Sequence, residues 1–161
     1  MAAKREDVNL TPSNGGLIMR NKNIDSLFTF IDSSPTPYHV VDNMVQTMEK
    51  LDGIELKESE DWECKASSLY YVIRNDASIV AFRTPKAIDF NKIAFNMVAA
   101  HTDSPCLKLK PVKKDVTGNY MQWGVSIYGG PLLNSWLDRD LNVSGRINYI
   151  QEGKLKQKLI S

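Results

Sequence analysis

The chain of 161 residues predicts an α/β domain in which two helices precede a mixed β-sheet. Before residue 53, apolar side chains recur at steps of three and four, which is typical of amphipathic helices. Beyond that point, β-branched and aromatic runs typical of strands follow one another. One run, 93–100, is apolar at almost every position and therefore predicts a central strand covered on both faces by helices.

The two helices have recognisable ends. Residues 1–22 show no period and predict a flexible lead-in. The first helix carries its apolar residues at Ile24, Leu27, Phe28 and Ile31, and it is expected to stop at Ser33-Ser34-Pro35. The second helix has Pro37 in its first turn, an apolar face that runs to Leu51, and Gly53 as its predicted C-cap.

The predicted strands follow in order. Residues 69–74 and 78–83 are separated by Asn75-Asp76-Ala77, which is hairpin spacing. Further strands are predicted at 93–100, 106–112, 121–128, 144–150 and 154–160. The last of these runs directly into Ser161, so we expect the sequence to be incomplete.

Composition excludes several classes of protein. Lys and Arg number 20 against 19 Asp and Glu, for a net charge of +1, which argues against a polycation that binds nucleic acid through bulk charge. Lys108, Lys110, Lys113 and Lys114 instead fit the solvated face of a strand. No apolar run approaches the roughly 18 residues of a membrane span, and no secretory leader is evident, so we expect a cytoplasmic protein.

The segment Ala99–Pro105 is the first candidate for chemistry. His101 follows the predicted buried strand, and ligands of open α/β sheets gather at the carboxyl ends of strands. A neutral imidazole is the commonest metal ligand, and Asp103 could accept the proton of the ring nitrogen that does not bind the metal. The alternative is a hydrogen-bonded structural histidine, and His-x-Asp alone does not decide between the two.

The segment 128–141 is the second candidate. Here Tyr128-Gly129-Gly130 leads to Trp136 and then to Asp138-Arg139-Asp140. Two carboxylates beside one guanidinium could form a charge-assisted network, or they could form an ordinary exposed ion pair that contributes little.

Three separated motifs together carry a resemblance: Ser34-Pro35-Thr36-Pro37-Tyr38-His39, then Ala100-His101-Thr102-Asp103-Ser104-Pro105, then Tyr128-Gly129-Gly130 with Trp136 to Leu141 and Gly145-Arg146. In this order and at these intervals, the chain resembles the aspartyl aminopeptidase family of dinuclear-zinc exopeptidases. The resemblance extends from about residue 23 to the end of the chain.

The resemblance implies the N-terminal part of a metallo-exopeptidase-type α/β domain, truncated near the start of an inserted β-rich domain. The implied boundaries are 1–22 for a flexible segment, 23–145 for the catalytic part and 146–161 for the start of the insertion. His101 is implied as a ligand of one of two zinc ions, and Asp103 as the residue that orients it. His39, Asp138 and Asp140 are not implied as ligands.

The implied activity is removal of N-terminal Asp or Glu from peptides by a homo-oligomeric cytoplasmic enzyme. The other metal ligands and the general base of the family are absent from this chain, so we expect it to be an inactive fragment by itself. The alternative is a non-catalytic truncated paralogue that acts as an interaction or regulatory subunit of a full-length aminopeptidase. Neither nucleic acid nor membrane is expected as a partner.

Overall fold

A computed structural model describes residues 9–13, 16–87, 89, 92, 94–111, 115–117 and 120–161. The chain divides into two compact units, Met1–Ile88 and Asp89–Ser161. The first unit contains two helices followed by a small mixed sheet, and the second contains short antiparallel ribbons. Helices therefore precede a mixed sheet, as the sequence predicts. The boundary at 145/146 of an inserted domain stays a prediction.

The first unit begins with a hairpin and two helices. Strands β1 (Asn9–Ser13) and β2 (Gly16–Arg20) pair antiparallel, within a stretch for which no strand is predicted. Helices α1 (Lys22–Asp32) and α2 (Pro37–Lys50) follow and confirm both helix predictions. The Asn21 side chain caps α1 by accepting the N–H of Asn23. No residue of α1 is buried, so its predicted apolar face is exposed.

The end of α2 corrects the predicted role of Gly53. The left-handed residue after the helix is Asp52, with φ of 57°, and the C-cap is Leu51. The N–H of Gly53 donates to the carbonyl of Met48 at 2.8 Å, which closes a Schellman-type turn. A Cβ at position 53 would lie 2.8 Å from that carbonyl oxygen. Glycine is therefore needed here for close approach, one residue beyond the left-handed position.

The mixed sheet holds the core of the first unit. Its strands are β3 (Ile54–Glu55), β4 (Leu69–Arg74) and β5 (Ser78–Arg83), with β3–β4 parallel and β4–β5 antiparallel. The hairpin prediction is confirmed, because Asn75 and Asp76 both take the positive φ that this tight turn requires. Helix α2 packs on β4 and β5. The buried core residues are Val41, Tyr70, Tyr71 and Val72.

The second unit is built from ribbons. Its strands are β6 (Cys106–Leu109), β7 (Asp115–Thr117), β8 (Tyr120–Gln122), β9 (Val125–Tyr128), β10 (Gly145–Gln151) and β11 (Lys154–Ile160), with a 3-10 helix at Leu133–Trp136. The pairs β6–β9, β7–β8 and β10–β11 are all antiparallel. The strand predicted at 121–128 is therefore two strands, separated at Trp123 and Gly124.

The predicted central strand at 93–100 is wrong for residues 94–100, which form no strand; Ile93 lies outside the described residues. Phe95, Met97 and Val98 are 83%, 85% and 99% exposed. A buried strand needs partners at both edges and layers on both faces. Within the described chain, no strand pairs with this segment, so its apolar side chains stay uncovered.

Among the helices that the structure describes, none combines the length and the apolar character that crossing a bilayer demands.

Candidate functional site

The histidine segment lies in the second unit, in the loop that leads into β6. Residues 101–105 belong to no helix or strand, and β6 begins at Cys106. The side chain of His101 is 78% exposed and that of Asp103 is 45% exposed. The imidazole is therefore open to a ligand on one side, and its orientation depends on the contacts made within its own loop.

The side chain of His101 lies against Asp103 within this loop. The Nδ1 atom of His101 lies 2.6 Å from the main-chain carbonyl oxygen of Asp103 and 3.5 Å from its carboxylate Oδ1. Because a carbonyl oxygen only accepts hydrogen bonds, Nδ1 carries the proton. The nearer acceptor is thus the main-chain carbonyl of Asp103, and the carboxylate lies further away. In a neutral imidazole with its proton on Nδ1, the lone pair lies on Nε2, which is the arrangement in which a histidine binds a metal ion through that atom.

The carboxylate of Asp103 is held by a residue 25 positions further along the chain. The hydroxyl of Tyr128 donates to Oδ2 of Asp103 at 2.5 Å. This hydrogen bond, aided by the nearby His101 and Lys108, lowers the pKa of the Asp103 carboxyl below its ordinary value. The same contact raises the pKa of the Tyr128 hydroxyl. The aspartate is therefore kept ionised and the tyrosine is kept protonated, which is the charge state that preserves their hydrogen bond.

The pairing of β6 with β9 explains this contact. Their antiparallel register places Tyr128 directly opposite Cys106, three residues after Asp103. The ammonium nitrogen of Lys108 lies 3.6 Å from the centre of the Tyr128 ring, a cation–π contact on the ring face. The β6–β9 ribbon thus positions Tyr128 next to residues 101–105, the histidine loop. The sequence motifs include Tyr128 but do not predict this role, since the signal for it is the cross-strand register.

Gly129 allows the end of β9 to lie close to the loop. Its φ of +73° is left-handed, a conformation that L residues with a Cβ rarely adopt. A Cβ built at this position would lie 3.3 Å from the Cα, Cβ and Cγ atoms of Pro105. Both observations favour glycine, and they connect the motif at 100–105 with the motif at 128–130.

A zinc ion fits His101 but not the described residues as a complete site. Zinc sites in proteins take about three ligands plus water when catalytic and four when structural. Over the described ranges, no cluster of three or more His, Cys, Asp or Glu side chains could hold a metal ion. The described residues therefore offer His101 as a candidate ligand, held against Asp103, without a complete coordination sphere.

The other candidates have structural contacts. The Nδ1 atom of His39 lies 2.7 Å from Oγ1 of Thr36, the N-cap residue of α2, so its ring contacts the start of that helix. The guanidinium of Arg139 donates to the main-chain carbonyl of Ser135 at 3.4 Å. As far as the structure describes the chain, Arg139 forms no ion pair with Asp138 or Asp140. Neither of the two alternatives for 138–140, the charge-assisted network or the ordinary ion pair, is therefore formed among these described residues.

Comparison with known proteins identifies the family. The model of the family described as Aminopeptidase I zinc metalloprotease (M18) matches residues 30–161. The chain belongs to the M18 family of zinc aminopeptidases. This family of hydrolases is the one that the three sequence motifs predict.

Relatives of the M18 family show how much of their length the chain covers. A protein described as "Probable M18 family aminopeptidase 2", from Ectopseudomonas mendocina, is 41% identical over 142 residues, which are 88% of this chain and 33% of that protein. Among solved structures, Chaetomium thermophilum mApe1 matches with a TM-score of 0.78 and 33% identity, over 84% of this chain and 32% of that one. The S. cerevisiae mApe1 dodecamer matches with a TM-score of 0.68 and 31% identity, over 87% of this chain and 34% of that chain. The chain thus spans about a third of the length of these M18 relatives.

Proposed function

We propose that this M18 chain supplies the His101 metal ligand of an aminopeptidase that releases N-terminal Asp or Glu from peptides. The observation that carries the proposal is the hydrogen bond from Nδ1 of His101 to the carbonyl of Asp103, which leaves Nε2 available to a metal ion. Family membership supports zinc as that metal. Two zinc ions, the acidic preference and the role of Asp103 belong to this proposal.

The residues of this chain have limited roles in the proposed reaction. His101 binds one zinc ion, and Asp103 holds its imidazole in the tautomer that can bind. A zinc ion in such a site supplies Lewis-acid activation of a carbonyl group and of a water molecule. With only one ligand placed, we propose that the 161-residue chain has no peptidase activity by itself, and that substrate turnover requires ligands from outside the described residues.

A chimaera tests the ligand role of His101. This chain replaces the matching 142 residues of the Ectopseudomonas mendocina relative, to which it is 41% identical. We expect the zinc-loaded chimaera to hydrolyse chromogenic amides of N-terminal Asp and Glu, and a His101→Ala chimaera to lose this activity. A His39→Gln chimaera is the matched control, because it changes the chain's other histidine. Full activity in the His101→Ala chimaera would refute the ligand role.

The chain alone tests the proposed inactivity. The purified 161-residue protein is incubated with zinc and the same amides, beside a His101→Ala control. We expect equal background rates. Turnover above that of the His101→Ala control would contradict the proposal. Hydrolysis of leucine amides in preference to aspartate amides by the chimaera would contradict the acidic preference and leave the ligand role intact.

We further propose a cytoplasmic homo-oligomer as the working form of the whole protein. The match to a dodecameric relative supports assembly. Phe95, Met97 and Val98 also leave apolar surface exposed in the second unit. The same surface favours a second candidate function, in which this chain is a non-catalytic subunit of a full-length aminopeptidase. Co-elution of the purified chain with such an enzyme in size-exclusion chromatography tests this candidate, and separate elution would exclude it.

A further inference from the structure

We propose that the outer edge of β11 binds an extended acidic segment of a partner protein, which adds to the β10–β11 ribbon as a third strand. In this segment, Asp or Glu alternates with apolar residues. The inference does not depend on the role of His101 as a metal ligand. It rests on a row of lysines, an open strand edge and exposed apolar side chains of the same ribbon.

One face of β11 carries three lysines. Lys154, Lys156 and Lys158 alternate with Leu155 and Gln157, and every second residue of a strand lies on the same face of its sheet. All three lysines are exposed. We call this row of side chains the lysine face.

The ribbon itself does not neutralise the lysine face. The register places Gln151, Tyr149 and Ile147 opposite the three lysines, and none of these residues is acidic. Lys156 donates a hydrogen bond to the side-chain oxygen of Gln151 at 3.0 Å, but this amide is neutral. Among the described residues, no Asp or Glu forms an ion pair with the lysine face. The row therefore offers three positive charges to an external partner.

The outer edge of β11 can accept a further strand. In the part of the chain that the structure describes, the sheet that contains β11 has only two strands, β10 and β11. The main-chain N–H and C=O groups on the side of β11 away from β10 therefore have no strand to pair with. An extended peptide satisfies such groups when it adds to a sheet edge.

The charge of this edge decides which strands it accepts. Lysines on an edge strand oppose pairing with the same edge of another copy, because the lysines of the two copies would then face each other. A strand with Asp or Glu at every second residue instead places carboxylates beside the lysine face. Charge therefore favours an acidic partner over a second copy of this chain.

The opposite face of the ribbon specifies the residues between the acidic ones. Leu155 on β11 and Ile150 on β10 form a cross-strand pair on that face, and they are 70% and 76% exposed. A third strand whose acidic residues follow the lysine face directs its other side chains toward this apolar pair. β-branched apolar residues at these positions cover the pair and favour the extended backbone. The two faces together therefore require an alternating sequence.

The experiment uses the full 161-residue chain and a short peptide in which three Glu alternate with Val. Fluorescence anisotropy measures the affinity, and a peptide of the same composition with its Glu residues grouped is the control for bulk charge. We expect the alternating peptide to bind more tightly and to slow hydrogen exchange of the β11 amides, while exchange in the β4–β5 hairpin stays unchanged. Equal binding of the grouped peptide, or of a DNA oligonucleotide, would overturn the proposal.

Variants of the lysine face test the charge pairing. Each cross-strand ion pair changes affinity about 1.4- to 5-fold, so the combined Lys154→Gln, Lys156→Gln and Lys158→Gln variant should bind the alternating peptide roughly 3- to 150-fold more weakly. The corresponding variant with Arg at all three positions keeps the charges, and we expect it to retain binding. Unchanged affinity in the Gln variant would overturn the proposal, as would loss of binding in the Arg variant with the β10–β11 cross-strand contacts intact.

A matched control changes the net charge equally in the first unit. It combines Lys22→Gln, Lys65→Gln and Lys86→Gln, which remove three exposed lysines and leave β11 unaltered. We expect its affinity for the alternating peptide to stay close to that of the unmodified chain, and a loss as large as in the Gln variant of the lysine face would overturn the proposal. Exchange of the β11 amides that slows as the concentration of the peptide-free chain rises would identify a second copy as the occupant and would also overturn it.

Discussion

Replacing Gly129 with alanine tests how closely the histidine loop is connected to the β6–β9 ribbon. Two effects act at this position: a left-handed backbone, with φ of +73°, and contacts of 3.3 Å between the new Cβ and the atoms of Pro105. Gly153→Ala is the matched control. Gly153 has nearly the same φ, +72°, but a Cβ added there would meet no atom within 4 Å.

The free-energy cost of Gly129→Ala should exceed that of Gly153→Ala, because only the new Cβ at position 129 is crowded by Pro105. A left-handed backbone costs an L residue about 1–2 kcal/mol. The reduced freedom of the unfolded chain offsets roughly 0.4–1 kcal/mol of this cost. Gly153→Ala should therefore destabilise the β10–β11 ribbon by about 1 kcal/mol. Crowding against a packed neighbour adds about 1–3 kcal/mol. Each 1.4 kcal/mol changes an equilibrium constant tenfold. Gly129→Ala should therefore raise the opening equilibrium constant of the β6–β9 ribbon by a factor roughly 5 to 150 times larger than the factor by which Gly153→Ala raises that of the β10–β11 ribbon.

Amide hydrogen exchange measures both ribbons in the same chain. The N–H of Lys110 donates to the carbonyl of Gly124 at 2.9 Å, so its exchange rate reports the opening of the β6–β9 ribbon. The amides of β10 and β11 report the other ribbon. If Gly129→Ala accelerates exchange at Lys110 no more than Gly153→Ala accelerates it in β10 and β11, the contact with Pro105 does not restrain the loop and our reasoning is refuted.

Two further predictions concern single hydroxyl groups. In the first unit, Tyr70 is 2% exposed, and its hydroxyl accepts the N–H of Lys65 at 2.7 Å. Tyr70→Phe should therefore lower the free energy of unfolding, measured in urea, by about 1–2 kcal/mol. An unchanged midpoint of urea unfolding would contradict this. In the second unit, the hydrogen bond from Tyr128 lowers the pKa of the Asp103 carboxyl. This hydrogen bond therefore stabilises the folded loop 101–105 at pH values above the ordinary carboxyl pKa, and the stabilisation is lost as the pH falls through the lowered pKa. A ¹³C NMR titration should find the Asp103 pKa raised toward its ordinary value in Tyr128→Phe, and an equal pKa in both proteins would exclude the hydrogen bond as the cause.

Elements with local signals could be predicted closely from the sequence. The β4–β5 hairpin has its predicted bounds, because its strands are adjacent and Asn75 and Asp76 tolerate the left-handed turn between them. Helix α2 begins at Pro37, as predicted, because the cap residue and the proline are both local. The segment 94–100 is the opposite case. Its apolar character indicates a need for cover, but no local pattern says which part of a protein provides that cover.

The candidate site divides in the same way. His101 and Asp103 are two residues apart, so their contact could be expected from the motif. Tyr128 and Lys108 could not be assigned, because their contacts depend on how β6 and β9 are aligned. A shift of one residue in that register would turn Tyr128 to the opposite face of the ribbon. Neither composition nor motif spacing specifies the register.

By itself, the sequence determined the family, the two helices and the hairpin, and it singled out His101 as the candidate metal ligand. The tertiary structure alone decided which residue holds the carboxylate of Asp103, since Tyr128 lies 25 positions further along the chain. The physical reason is that residue types and short spacings specify which groups are available for hydrogen bonds. Donors and acceptors far apart in the chain meet only where strand pairing brings them within about 3 Å.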